Sequence, residues 1–154
     1  MKDFRSYLAE MFEKPWLHME TMEDRRSNGL LFVNYIYADP RSPEDYTKYL
    51  MIIFEQQNTN SWALLFTRGG SFSVSGQGDA GGVFASVLDA AGKFLKKHKP
   101  EFITFSALKE GKNTSRERAY AALVKRFASK YGYALDHKES GDFEAMWKLR
   151  RGGA

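Results

Sequence analysis

The sequence has no cysteine, and that absence removes several kinds of chemistry at once. Without a thiol the chain forms no disulfide, holds no thiolate zinc site and has no cysteine nucleophile. The three histidines, His18, His98 and His137, stand far apart, with no metal-ligand spacing and no Ser/Asp arrangement beside them. The sequence therefore predicts neither a metal centre nor a histidine-based catalytic set.

Long apolar runs are missing as well. No stretch approaches the roughly 18 apolar residues of a membrane-spanning helix. The first residues, Met1 to Phe4, already include charged side chains, so we find no apolar signal core. We therefore expect a soluble, cytoplasmic chain without a membrane partner.

What is present suits one globular domain. The chain has 154 residues, of which 43% are hydrophobic and 27% charged, and this is enough for a single core. No repeat, low-complexity tract or linker divides it. We predict one domain over residues 1–154, with an N-terminal helical segment at 1–28, a core at 30–149 and a frayed tail at 150–154.

The net charge of +4 is unevenly distributed along the chain. Residues 93–130 carry 11 basic and 3 acidic side chains, a local balance of +8, whereas the first 50 residues carry 7 basic and 9 acidic ones. Such an excess would attract an anionic partner: a phosphorylated cofactor, nucleic acid or an acidic protein. The same side chains would equally form the solvated faces of two helices, and both interpretations stay open. The sequence does not indicate an oligomeric state.

Hydrophobic spacing predicts the elements of the first half. Apolar residues three and four positions apart over residues 2–13 predict a helix that Pro15 ends, followed by a loose, Met-rich stretch at 16–24. Runs rich in β-branched and aromatic residues predict four strands, at 30–37, 49–55, 62–67 and 72–74. The last three of these strands form an antiparallel meander.

The hydrophobic period changes in the second half. A helical stripe covers residues 82–97, and a capping box at 114–117 begins a second long helix that ends at Gly132. Short apolar runs predict three more strands, at 102–106, 133–136 and 143–149. A helical crossover makes strand 72–74 parallel to the next strand. The predicted fold is α/β (α+β): a mixed, mostly antiparallel central sheet with flanking helices.

A glycine-rich turn joins strand 72–74 to helix 82–97. Residues 76–82 contain four glycines, which let backbone amides point outward beside the positive end of a helix, as a phosphate or pyrophosphate cradle requires. The turn is neither a Walker loop nor a dinucleotide fingerprint, because no Lys-Ser/Thr pair follows and the spacing differs. The alternative is a flexible turn in which Asp79 caps the helix.

This order of elements resembles the GNAT-like superfamily of acetyl-CoA-dependent N-acetyltransferases over residues 30–149. That family has N-terminal helices, a three-strand meander, a glycine-rich pyrophosphate loop, a splayed parallel strand, a second helix and a final hairpin. Asn113 and Tyr120 have the seven-residue separation often found in its second helix, and residues 131–133 supply the glycine-aromatic ending. The Gly-x-Gly-Asp turn and the Asn-x-Ser-Arg helix start also look like small phage-encoded GNAT-like proteins of unassigned activity.

The resemblance implies an acyl-CoA-dependent N-acyltransferase with acetyl-CoA as donor and an unknown amine as acceptor. The pantetheine arm of the cofactor would pair with residues 72–75, and its pyrophosphate would bind residues 76–82. The implied cofactor-binding residues are Phe72, Ser73, Val74, Ser75, Gly76, Gln77, Gly78, Asp79, Ala80, Gly81, Gly82, Asn113 and Arg116. Tyr120 would lie near the thioester sulfur as proton donor.

Each candidate catalytic residue has an alternative interpretation. Glu55, at the end of a strand, is the candidate base for the proton of an attacking ammonium, or else a solvated strand end. Tyr120 is the acid, or else a core aromatic whose hydroxyl finds a partner.

The whole chain also has an alternative function. It would then be a catalytically inactive GNAT-like module that uses its basic helices to bind nucleic acid or a phage or host protein. No RNP-like aromatic pattern, zinc finger or basic zipper supports sequence-specific recognition.

Overall fold

A computed structural model describes residues 4–68, 82–108 and 115–152. Its helices are α1 (Phe4–Met11), α2 (Val83–Lys97) and α3 (Ser115–Tyr131). Its strands are β1 (Leu17–Arg25), β2 (Leu31–Ala38), β3 (Leu50–Gln56), β4 (Ser61–Arg68), β5 (Phe102–Leu108), β6 (Tyr133–Ser140) and β7 (Glu144–Arg151). A short 3-10 helix, Tyr46–Lys48, precedes β3.

The strands form one seven-stranded sheet in the order β1-β2-β3-β4-β5-β7-β6. Among the described strands, only β4 and β5 pair in parallel, and the other neighbours are antiparallel. The chain passes through α2 between the parallel strands, since such a pair needs a crossover connection. The predicted α+β class, with a mixed and mostly antiparallel sheet, is confirmed.

Two strand predictions differ from the structure. β1 occupies residues 17–25, where the sequence predicts a loose stretch of a helical segment, and all nine of its residues are exposed. Side-chain periodicity therefore could not reveal β1, which is held by backbone pairing with β2 across a turn at Gly29. The parallel partner of β5 is β4, whereas the predicted strand 72–74 lies outside the described residues.

All three described helices lie on one side of the sheet, which we call the helix face. Phe66 of β4 contacts both α2 and α3, since its ring lies 5.9 Å from that of Phe84 and 5.2 Å from that of Tyr120. Phe12, directly after α1, packs on Phe84 at 5.3 Å. We call the opposite side of the sheet the open face.

The core lies between the helix face and the helices. Alternate residues of β3 are buried, as the pleat of a strand packed on one side requires. Phe94 of α2 stacks on Phe54 with 4.0 Å between ring centroids and meets Trp62 edge-on at 4.8 Å. Burying one such side chain stabilises the fold by roughly 2–3 kcal/mol. These contacts fix α2 over β3 and β4.

Candidate functional site

The parallel strands β4 and β5 pair only over their first residues. Their register ends at Leu64 opposite Phe105. Beyond that pair β4 continues to Arg68 along β3, and β5 continues to Leu108 along β7. We call the opening between residues 65–68 and 106–108 the fork.

The fork presents two unpaired strand edges to each other. Among the described residues, no strand pairs with the inner edge of residues 65–68 or of residues 106–108. An unpaired edge offers alternating N–H and C=O groups, to which an extended molecule can add as an extra strand. The fork therefore has the chemistry of a slot for an extended, amide-containing chain.

Tyr120 of α3 lies at the fork on the helix face. Its ring stacks between Phe66 of β4 and Trp147 of β7, at centroid distances of 5.2 and 6.4 Å and interplanar angles of 12° and 10°. Only 5% of Tyr120 is exposed. The two neighbouring rings fix the orientation of the tyrosine, which lies between β4 and β7 beside the fork.

The sequence indicated the buried face of α3 but not this stack of rings. Tyr120 belongs to the predicted apolar stripe with Leu123 and Phe127, all buried in the structure. Phe66 and Trp147 were predicted only as strand residues. Strand alternation could have placed both on the same face as Tyr120, but it could not place them at the same level of the sheet.

Glu55 lies on the open face of the sheet. Its neighbours in register are Phe32 of β2 and Ala63 of β4, and its carboxylate pairs with Arg26 Nη2 at 2.7 Å. The sheet separates Glu55 from Tyr120, which occupies the helix face. The structure therefore does not bring the two predicted catalytic residues together.

Gly82, the last residue of the predicted cradle, is the N-cap of α2 and has a φ of 81°. A Cβ at this position would lie 2.4 Å from the carbonyl oxygen of Lys14 and 2.6 Å from Cδ1 of Trp16. The Trp16 amide donates to Ser86 Oγ, which donates in turn to the carbonyl of Gly82. Residues 83–86 are buried, so the first turn of α2 packs into the core.

The two long helices begin near the fork. Phe84 lies in the first turn of α2, and its ring is 6.2 Å from that of Tyr120 and 5.9 Å from that of Phe66. The positive end of a helix dipole favours an anion. The fork end of the sheet is therefore the end at which a phosphorylated ligand would gain most from α2 and α3.

Most of the predicted cofactor-binding residues lie outside the described residues. These are Phe72, Ser73, Val74, Ser75, Gly76, Gln77, Gly78, Asp79, Ala80, Gly81 and Asn113. Arg116 lies in the first turn of α3, where the structure describes the backbone only. Their assignment to a cofactor stays a prediction.

A polar cluster links α2 to β2, which lies two strands from β4 in the sheet. The Tyr37 hydroxyl donates to Asp89 Oδ2 at 2.5 Å, and Lys93 forms an ion pair with the same carboxylate. Burial opposes the ionisation of Asp89, but the hydrogen bonds from Lys93 and Tyr37 hold its pKa below the ordinary value. Burial and the bond to Asp89 raise the pKa of Tyr37. The cluster is an ion-paired tether between a helix and a strand.

Part of the predicted basic excess is neutralised in the structure. Lys93 pairs with Asp89, and Lys97 pairs with Glu23 at 2.7 Å. Four exposed lysines of this region have no ion-pair partner among the described residues: Lys96, Lys99, Lys125 and Lys130. Any anionic partner of these helices stays a prediction.

Two further properties concern the described part of the chain alone. Within residues 4–68, 82–108 and 115–152, no helix is both long enough and apolar enough to cross a membrane. The same residues contain no group of three or more His, Cys, Asp or Glu side chains that could hold a metal ion.

Comparison with known proteins gives little further information. No family model matches the sequence, and no curated protein matches it. A similar solved structure is described as a "putative acetyltransferase from Sphaerobacter thermophilus DSM 20745"; it is 10% identical, and the match covers 99% of this chain and 90% of that chain with a TM-score of 0.46. A similarity at that score supports no conclusion about this chain, and the likeness to phage-encoded proteins stays a prediction.

Proposed function

We propose that this chain is a GNAT-like acyltransferase that moves an acyl group from an acyl-CoA, such as acetyl-CoA, to an amine. The observation that carries the proposal is the fork, where β4 and β5 stop pairing after Leu64 and Phe105 while each strand continues. A parallel pair that opens in this way offers a binding slot in the middle of the sheet.

The described residues of the fork fit a pantetheine arm. The arm contains two amides in an extended chain, and residues 65–68 have backbone groups that no described strand uses on their inner edge. The apolar side chains of Phe66 and Ala107 line the helix face at this level, which suits the methylene groups between the amides. When bound, an acyl-CoA supplies a thioester whose carbonyl carbon an amine can attack.

Tyr120 is the proton donor in this proposal. Tyr120 would give its phenolic proton to the sulfur that the acyl group leaves, so that CoA departs as a thiol, and the tyrosinate would regain a proton from water. A phenolic O–H held beside the departing sulfur can act as a general acid towards it. Phe66 and Trp147 hold the Tyr120 ring in one orientation. Glu55 has no role, because it lies across the sheet, and the ammonium proton leaves through water.

Substitution of Tyr120 by phenylalanine tests this role. The Tyr120→Phe variant keeps the stacked ring and loses only the hydroxyl, so we expect unchanged heat of acetyl-CoA binding. Loss of a general acid lowers the transfer rate by roughly a hundredfold or more. Calorimetry measures the binding, and CoA release with a panel of lysine peptides and small amines measures the transfer.

Tyr133→Phe is the matched control. The Tyr133 hydroxyl is also buried and donates to the carbonyl of Pro100 at 2.7 Å, at the end of the sheet away from the fork. This variant should lose about 1 kcal/mol of stability and keep its transfer rate. Absence of any heat or thermal shift with acetyl-CoA or CoA at millimolar concentration would refute the proposed function.

A second candidate function rests on the exposed lysines without ion-pair partners. A nucleic-acid-binding module would use Lys96, Lys99 and Lys125, and its affinity would fall steeply as salt rises, because bound phosphates release counterions. A gel shift with short DNA at low and moderate salt separates this function from acyl transfer. Absence of any retardation of the DNA at low salt would refute the nucleic-acid-binding function.

A further inference from the structure

Asn34 of β2 is a buried polar residue on the open face of the sheet. The neighbouring Tyr35 lies on the helix face, with its ring 5.8 Å from that of Phe54, so strand alternation places Asn34 on the opposite side. Asn34 is 5% exposed, and within the described part of the chain its Oδ1 has no hydrogen-bond partner. A buried acceptor without a donor is unfavourable, so a ligand that brings a donor to this oxygen would be stabilised.

Two carboxylates flank Asn34 on the edge strand β1. Met22 stands directly opposite Asn34, and Glu20 and Asp24 occupy the next positions on the same face, two residues to either side. Diagonal neighbours in a sheet are about 7–8 Å apart, within reach of a long side chain. Both acids are exposed, and neither has an ion-pair partner among the residues that the structure describes. Negative charge therefore lies on both sides of the unpartnered oxygen.

The charge around Asn34 stays negative when the nearby arginine is included. Arg26 pairs with Glu55 of β3 at 2.7 Å and lies over the ring of Phe32, 5.5 Å from its centroid. This one guanidinium stands against three carboxylates, because the two on β1 have no such partner. The surroundings of Asn34 therefore repel an anion and favour a cation that carries N–H donors.

The spacing of the acids and the apolar neighbours select the kind of cation. Glu20 and Asp24 are four residues apart on one strand, about 13 Å between Cα atoms. This separation disfavours a shared metal ion, whose oxygen ligands lie within about 2.6 Å. Ile53 of β3 stands opposite Asn34 on its other side and is half-buried, as is Ile36 of β2. These side chains suit the methylene groups of an alkyl chain with a charged end.

We propose that the open face binds a primary alkylammonium group at Asn34, as a lysine side chain or a small aliphatic amine carries it. The ammonium donates one hydrogen bond to Asn34 Oδ1 and others to Glu20 or Asp24, and its methylene groups lie against Met22 and Ile53. Met22 is 51% exposed, and its unbranched, flexible side chain moves aside to admit the ammonium.

This ammonium site is separate from the fork. Ile53 lies between Asn34 and Leu65 in the register of the sheet, and two strand spacings are about 10 Å. An amine held at Asn34 is therefore not the nitrogen that a thioester at the fork would acylate. Its binding is measured without CoA, so the ammonium site and the proposed acyl transfer stand or fall separately.

NMR titration of the full chain tests the proposal at the side-chain amide of Asn34, a signal that Asn34→Leu identifies by its absence. Protonated butylamine and Nα-acetyl-lysine methylamide are the two probes, and the Nε-acetylated lysine derivative, which has no charge, is the control. We expect the Asn34 signal to shift with both probes and not with the control. A shift with one probe alone would support the site and identify a free amine or a peptide lysine as its ligand.

Variants separate binding at Asn34 from a general attraction of cations. Asn34→Leu replaces the acceptor by an apolar side chain of similar volume, so its stability in urea should equal or exceed that of the wild type. Shifts of the Met22 and Ile53 backbone amides should show binding weakened roughly tenfold or more in Asn34→Leu, and about threefold in Glu20→Gln. Glu139→Gln, on β6 at the far side of the same face, is the matched control and should bind like the wild type. No shift with either amine at millimolar concentration, or equal affinity in the wild type and Asn34→Leu, would overturn the proposal.

Discussion

At the scale of single residues, Gly82 is subject to two constraints, of which Gly29 shares only one. Both have a positive φ, 81° and 84°, which side-chain-bearing residues adopt at a cost of about 1 kcal/mol or more. A Cβ at Gly29 would meet no atom within 4 Å, whereas at Gly82 it would collide with the backbone oxygen of Lys14. The two glycines therefore separate backbone strain from steric overlap.

We expect Gly82→Ala to lower the free energy of unfolding by about 3 kcal/mol and Gly29→Ala by about 1 kcal/mol. The difference measures how firmly the segment around Lys14 and Trp16 is packed on the first turn of α2. Urea unfolding followed by tryptophan fluorescence gives both values. Equal losses in the two variants would mean that Lys14 and Trp16 move away from position 82 at little cost in free energy.

Residue patterns predicted which side chains are buried, but not which side of the sheet each strand residue faces. The stripe on α3 correctly indicated that Tyr120 is buried, because helical spacing reports directly which side faces a core. Nothing in the sequence places Glu55 on one side of the sheet and Tyr120 on the other. That information lies in strand register, which depends on contacts between residues far apart in the chain.

At the scale of elements, the strands buried on the helix face were predicted closely and the exposed edge strands were not. The predicted strands at 49–55 and 62–67 lie within one residue of β3 and β4 at both ends. β1 was missed, and β6 extends to Ser140 rather than ending at 136. Both are edge strands whose side chains are almost all exposed. Backbone pairing holds them in the sheet, and their sequences therefore lack the apolar alternation that would predict a strand.

Two carboxylates, Glu23 and Asp89, link α2 to β1 and β2, and this predicts a dependence of stability on pH. A hydrogen bond from Lys97 lowers the pKa of Glu23, and the bonds from Lys93 and Tyr37 lower that of Asp89. Because both pKa values are depressed in the folded state, their stabilisation is present above the ordinary carboxyl pKa of about 4. It is lost as the pH falls through the folded-state values.

Urea unfolding at a series of pH values checks this dependence. We expect the free energy of unfolding to change little between pH 7 and pH 5 and to fall below about pH 4. The loss of unfolding free energy below pH 4 should be smaller in Asp89→Asn than in the wild type, because an amide gains no proton in this range. An acid profile identical in wild type and Asp89→Asn would show that the tether contributes nothing.

At the scale of the whole molecule, the fork is the feature on which the proposed function rests. It arises because β4 follows β3 and β5 follows β7 after their common start at 61–64 and 102–105. The sequence predicted a parallel pair around a helical crossover, but it could not show which strand is the partner of β5 or where the pair separates. Twist and long-range register decide both.

Hydrogen exchange with and without CoA tests the central claim most directly. If the pantetheine arm adds to the inner edge of the fork, CoA should slow amide exchange in residues 65–68 and 106–108, and ADP, which lacks the arm, should not. Peptide-level mass spectrometry of the full chain resolves these segments from the exposed lysines at 96–99. We predict that CoA, but not ADP, slows amide exchange at the fork. Slower exchange confined to residues 96–99, or in neither segment, would contradict the proposed binding of CoA.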